Sequence, residues 1–139
     1  MSASDMKPPS SYEGTVLRVL SRMTRQSEGV KQDVLRQCLG LSSSYLVTDT
    51  TMNPAGGAAS WMVGFNRLVD VMFALHGRGE LELETVNAAS KACSECWSVT
   101  GNWTGLEECR EAIRGVAERL KRLLDENGRT YEGAAVYVP

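Results

Sequence analysis

The chain has only one histidine, His76, among its 139 residues. Most acid-base and nucleophilic mechanisms pair a histidine with a serine, a cysteine or a second titratable group, so a single histidine excludes most of them. Basic residues are not in excess either, because 15 lysines and arginines face 17 acidic residues. We therefore expect a protein without catalytic activity or cofactor and without a nucleic-acid partner.

Long apolar runs are also missing. The first ten residues contain nothing that resembles the apolar core of a signal peptide. The most apolar stretch, residues 58–75, is interrupted by Arg67 and Asp70, which a bilayer would penalise by several kcal/mol. We therefore predict a buried helix there, no membrane partner, and a cytoplasmic or nuclear location.

The length and the ordinary share of hydrophobic residues, 42%, indicate one domain. Residues 1–10 are polar and contain the pair Pro8-Pro9, which predicts a flexible N-terminal segment. Residues 11–128 form the predicted helical domain. Residues 129–139 are predicted to be a C-terminal tail, either extended or a short edge strand.

Apolar residues at helical spacing predict an all-α fold, a single up-and-down bundle of about five helices. Residues 42–57 lack an apolar helical period and contain many hydroxyls, Asn53-Pro54 and Gly56-Gly57. This segment is predicted to be a long loop between helices 2 and 3. The next helix, residues 58–75, is apolar on several faces and is predicted to be central.

The last predicted helix carries the most regular pattern in the chain. Its apolar residues alternate steps of three and four, which is the spacing of a coiled-coil seam: Leu106, Cys109, Ile113, Val116, Leu120 and Leu123. Thr104 and Glu107 have the spacing of a capping box at its start. Arg114, Glu118 and Arg122 have the spacing of an ion-pair ladder on its outer face.

The four cysteines offer the remaining chemistry. Cys93 and Cys96 form a C-x-x-C pair, and with Cys109 and either Cys38 or His76 they are the candidate ligands of a zinc site. Both members of the pair continue an apolar helical stripe, however, whereas zinc ribbons place such pairs on turns. We therefore favour buried free thiols and no metal site. His76 is interpreted as the C-terminal residue of the central helix, facing the helix dipole.

The run KACSECWSVTGNWTGLEECREAIRGVAERLKRLLDENGRTYEG resembles the C-terminal part of short uncharacterised proteins predicted from the genomes of mushroom-type (basidiomycete) fungi. The likeness covers roughly a third of the chain, residues 91–133, and includes no catalytic motif. It implies a eukaryotic intracellular setting and no site residues.

The function we favour from the sequence is a small protein-protein interaction domain, an adaptor or complex subunit, with self-association through the apolar seam as one option. If the seam is used inside the monomer, the partner surface must lie elsewhere, and the candidate contact residues are four aromatics: Tyr45, Trp103, Tyr131 and Tyr137. The alternative is a bundle that binds a small molecule or lipid in an apolar cavity. Met62 and Met72 suggest this alternative because methionine adapts to varied ligands.

Overall fold

The computed structural model describes residues 11–23, 28–101 and 103–134, and these form six helices without a strand. The predicted all-α fold is confirmed, whereas the predicted number of about five helices is not. The flexible segment predicted for residues 1–10 lies outside the described residues, as does Tyr137. The helices are α1 (Tyr12–Met23), α2 (Glu28–Gly40), α3 (Ser42–Met52), α4 (Gly57–Gly77), α5 (Leu83–Thr100) and α6 (Glu107–Glu126).

Helix α4 is the centre of the bundle, as its apolar sequence predicted. It packs against α1, α3 and α6, while α2 packs mainly against α5. Trp61, Phe65 and Met72 are at most 1% exposed and fill the interior. Neighbouring side chains therefore cover these three residues completely. Among the described helices, none has the length and hydropathy needed to cross a membrane.

The long loop predicted for residues 42–57 is not confirmed, because most of it is helix α3. The residues that α3 buries, Ser42, Leu46 and Asp49, do follow helical spacing, but two of the three are polar. The spacing of apolar residues therefore does not predict that these residues are buried in a helix. The hydroxyl of Thr50 donates to the carbonyl of Leu46 at 2.7 Å, so this polar side chain is satisfied within the helix. Burial against neighbouring helices thus outweighs weak helix propensity here.

A buried corner fixes the starts of α1 and α4. The backbone N–H of Tyr12 donates to Oδ2 of Asp49 at 3.1 Å, and the Tyr12 hydroxyl donates to the Cys38 carbonyl at 2.9 Å. Burial raises the pKa of Asp49, and the hydrogen bond from Tyr12 opposes this shift only in part. Gly57 lies so close to α3 that an added Cβ would be 2.0 Å from the Asp49 carbonyl oxygen. Only glycine fits this contact without a backbone shift.

Helix α6 starts later than the capping box predicted. Its first helical residue is Glu107, and Thr104 forms no capping hydrogen bond with it. Leu106 is buried at the N-cap position, and Gly105 adopts a positive φ of 82° that only glycine takes readily. The Glu107 carboxylate still reaches back and accepts from the Gly105 N–H at 3.4 Å. Burying Leu106 therefore displaces the start of the helix from the predicted residue.

The outer face of α6 also differs from its prediction. Arg114 pairs with Glu111 at 3.3 Å, so the predicted ladder with Glu118 does not form. Arg122 has no ion-pair partner among the described residues. The apolar seam, in contrast, is entirely buried within the same chain. Self-association through this seam is therefore not supported.

The packed part of the chain extends beyond the predicted boundary at Gly128. Residues 128–133 form turns, and Tyr131 is only 3% exposed. Its ring packs against His76 at a centroid distance of 5.6 Å. Residues 128–134 thus cover the C-terminal end of α4 instead of forming an extended tail.

Candidate functional site

The four cysteines are free and buried. Among the described residues, no group of three or more histidine, cysteine or acidic side chains has the arrangement of a metal site. The Sγ of Cys96 lies 3.4 Å from the Ser42 hydroxyl, whereas that of Cys109 lies 3.8 Å from the Ala58 carbonyl oxygen. Cys96 and Cys109 therefore each contact a different polar group.

Burial also makes these thiols poor nucleophiles. It raises the pKa of Cys93 and Cys96 to about 12 and that of Cys38 and Cys109 to about 11. At neutral pH all four are protonated, and the thiol is the unreactive form. We therefore assign them to core packing.

His76 lies at the end of α4, as predicted, and both of its ring nitrogens have partners. Nδ1 is 2.7 Å from the Tyr131 hydroxyl oxygen, and Nε2 is 3.4 Å from Nδ2 of Asn127. The same Asn127 nitrogen donates to the Leu123 carbonyl at 2.9 Å. An amide nitrogen only donates, so Nε2 accepts, and the neutral ring carries its proton on Nδ1, which donates to Tyr131. His76 thus joins the C-terminal turns to α4.

The aromatic contact residues predicted from the sequence have different positions. Tyr45 lies on α3, where its hydroxyl accepts from Thr15 at 3.0 Å and its ring is 5.4 Å from that of Tyr12. Tyr131 is buried against His76. Both rings therefore belong to the internal packing of the bundle. Trp103, in the turn between α5 and α6, is 38% exposed and remains available for contact.

Helices α4 and α6 run parallel, and this arrangement creates the two surface grooves discussed below. Three contacts show the direction, because they pair residues in the same order along both helices: Ala58 with Cys109, Asp70 with Arg119, and His76 with Asn127. Both N-termini consequently lie at one end of the pair and both C-termini at the other.

The groove at the C-terminal end, the His76 groove, has a volume of about 300 Å³ and is lined by Phe73, His76, Arg119, Arg122, Leu123 and Glu126. The Arg119 guanidinium lies 4.2 Å from the centre of the Phe73 ring. The two arginine charges of this groove are opposed by Glu126, by Asp70, which pairs with Arg119 at 3.7 Å, and by two helix C-termini, each equivalent to about half a negative charge. The arginines of this groove are therefore fully compensated.

The groove at the N-terminal end, the Met62 groove, has a volume of about 310 Å³. The α4 side contributes Ala58, Ala59 and Met62, preceded by Pro54 and Ala55, and the α6 side contributes Gly105, Glu107, Glu108 and Cys109. Small side chains on α4 leave the space open. Of the described residues that line it, none is basic.

The Met62 groove keeps a negative charge. Glu107 and Glu108 are exposed, and neither forms an ion pair with a described residue. The N-termini of α4 and α6 each contribute about half a positive charge, which offsets about one of the two carboxylates. About one negative charge therefore remains beside an apolar floor, and this combination distinguishes the Met62 groove from the His76 groove.

Sequence reasoning did not find this groove. The sequence pattern relates Met62 to an internal cavity and Glu107 to a capping box, and it assigns no role to Ala58, Ala59 or Glu108. The available signal was an Ala-Ala pair one turn before Met62 together with Glu107-Glu108 at the start of another helix. Only the parallel packing of α4 and α6 brings them together. Comparison with protein-family models, curated proteins and solved structures gives no match.

Proposed function

We propose that this protein is a small intracellular interaction domain, an adaptor or complex subunit without catalytic activity, that binds a short segment of a partner protein in the Met62 groove. The observation that carries the proposal is the open apolar floor of Ala58, Ala59 and Met62 between the starts of α4 and α6. Apolar surface that remains open beside polar rims is typical of interaction sites.

Two exposed apolar residues lie close in sequence to residues of the Met62 groove, and they support this groove as the contact surface. Met52, 67% exposed, ends α3 just before Pro54, and Trp103 precedes Gly105 by two residues. Tryptophan is enriched among residues that dominate binding energy, and methionine adapts to varied partners. The other predicted contact residues of the described chain, Tyr45 and Tyr131, are needed for internal packing.

The absence of catalytic activity and the intracellular location, cytoplasmic or nuclear, are parts of this proposal. The support for the first is that the buried thiols are protonated and that both nitrogens of His76 are engaged. The support for the second is that all four cysteines are free, as is usual in a reducing compartment.

Selection from a random peptide display library on the immobilised protein tests the proposal. We expect enrichment of peptides with apolar residues that bind the wild type. Ala59→Trp should weaken their binding by about tenfold or more, because an indole would occupy the groove. Val63→Trp is the matched control, since Val63 is an exposed α4 residue outside the groove lining. Peptides that bind both variants equally, or no enrichment, would overturn the proposal.

A further inference from the structure

The charge left at the Met62 groove indicates what kind of segment it accepts. Glu107 and Glu108 line the groove on one side, and about one unit of their charge exceeds what the two helix dipoles offset. No described lysine or arginine forms an ion pair with Glu107 or Glu108. A bound segment that carries positive charge is therefore favoured over an acidic one, since like charges across a contact are strongly unfavourable.

The floor of the same groove is apolar and small. Ala58, Ala59 and Met62 expose no polar side-chain group except the methionine sulfur, and Cys109 is 1% exposed beneath them. A volume of about 310 Å³ is at the lower end for ligand pockets. Such a space accepts a few side chains and not a whole helix.

From these two features we propose that the Met62 groove recognises a short segment of a partner protein in which an arginine lies beside an apolar residue, an inference that rests on the proposed interaction function. The apolar residue covers Ala59 and Met62, and the guanidinium faces Glu107 and Glu108. Arginine fits this position better than lysine, because its planar head binds carboxylates with two hydrogen bonds and is more weakly hydrated.

The experiment compares three forms of the whole chain in the same peptide selection: the wild type, Glu107→Gln/Glu108→Gln and Glu107→Lys/Glu108→Lys. Peptides selected by the wild type should contain arginine more often than lysine, and acidic residues rarely. The glutamine variant should lose this preference, and the lysine variant should select acidic residues instead. For the best wild-type peptide, the lysine variant should weaken binding by about tenfold, and high salt should weaken it for the wild type.

A matched control separates this effect from a general change in charge or from a weakened helix start. Glu84→Lys/Glu118→Lys changes the net charge equally, and Glu84 lies in the first turn of α5 as Glu107 does in α6. Neither control residue lines the groove. This variant should retain the arginine preference and the wild-type affinity, and thermal unfolding should show that all variants are folded.

The outcomes separate the inference from the proposed function. Peptides that depend on the groove, lose binding with Ala59→Trp and yet show no preference for arginine would overturn the arginine inference and leave the interaction function intact. The absence of any groove-dependent peptide would overturn both. A concentration-dependent dimer that Ala59→Trp disrupts would also overturn the inference, because a second copy of the chain would then occupy the groove.

Discussion

The Met62 groove and the His76 groove lie at opposite ends of the same two helices, yet their charged side chains are compensated to different extents. Parallel packing places two positive dipole ends at the first and two negative dipole ends at the second. At both grooves the side chains oppose the local dipoles, with Glu107 and Glu108 at one end and Arg119 and Arg122 at the other.

The difference lies in what remains after this compensation. At the His76 groove Asp70, Glu126 and the helix C-termini compensate the two arginines in full, whereas at the Met62 groove the carboxylates exceed the dipoles by about one charge. The count of charges at a helix end is thus a poor guide by itself. Only the side-chain charge that exceeds the opposite charge of the helix dipoles can attract a charged partner.

The two ends also differ in how tightly the backbone is packed. We expect Gly57→Ala, at the Met62 end, to lower the free energy of unfolding by about 3 kcal/mol, because the added Cβ would be 2.0 Å from the Asp49 carbonyl oxygen. Gly77→Ala, at the His76 end, meets nothing within 4 Å. Gly77→Ala should raise the free energy of unfolding, by less than about 1 kcal/mol, because alanine favours the helix more than glycine does. Urea denaturation measures both, and equal losses would contradict the packing difference.

Alkaline pH should weaken the Met62 end through Cys109, which lines the Met62 groove and contacts the Ala58 carbonyl oxygen. The pKa of Cys109 is raised from 9.0 to about 11, so above pH 9 the unfolded thiol loses its proton before the folded one. Stability should be unaffected by this thiol below pH 9 and should then fall by up to about 1.4 kcal/mol per pH unit until about pH 11.

Urea denaturation between about pH 8 and pH 10 checks this expectation. Cys109→Ala removes one titrating thiol, and its stability should fall less steeply with pH than that of the wild type. Parallel curves for the two proteins would show that Cys109 makes no such contribution.

The His76 end should depend instead on a polar link to the C-terminal turns. Tyr131→Phe keeps the buried ring but removes the hydroxyl that accepts from His76. We expect this change to lower the free energy of unfolding by about 1 kcal/mol. In a His76→Ala background, Tyr131→Phe should lower the free energy of unfolding much less, since the hydrogen-bond partner of the Tyr131 hydroxyl is already absent. A double-mutant cycle by chemical denaturation measures this coupling. Additive losses would contradict the hydrogen bond.

Between the two grooves the helices share an exposed ion pair, Asp70 with Arg119 at 3.7 Å. Its side chains are 72% and 39% exposed, so solvent screens the attraction. Asp70→Asn should therefore change the free energy of unfolding by no more than about 0.5 kcal/mol. A larger loss in thermal or urea denaturation would show that this pair, and not the apolar contact, holds α4 against α6.

Several residues could be placed from the sequence. Ser11 directly precedes α1, and its hydroxyl accepts from the Gly14 N–H at 3.1 Å, as a serine at a helix start is expected to do. The bounds of α4 and the buried face of α6 were also close to their predictions. Helix α3 and the buried Tyr131 could not be placed, because their burial depends on contacts with residues distant in sequence.

The sequence by itself determined the all-helical class, the central position of α4 and the buried seam of α6, because apolar spacing acts within a single helix. The tertiary structure alone decided that α4 and α6 are parallel, that Tyr131 packs inward on His76, and that Glu107 and Glu108 lie beside Ala59 and Met62. These features depend on packing between helices, which the spacing of apolar residues along one helix does not encode.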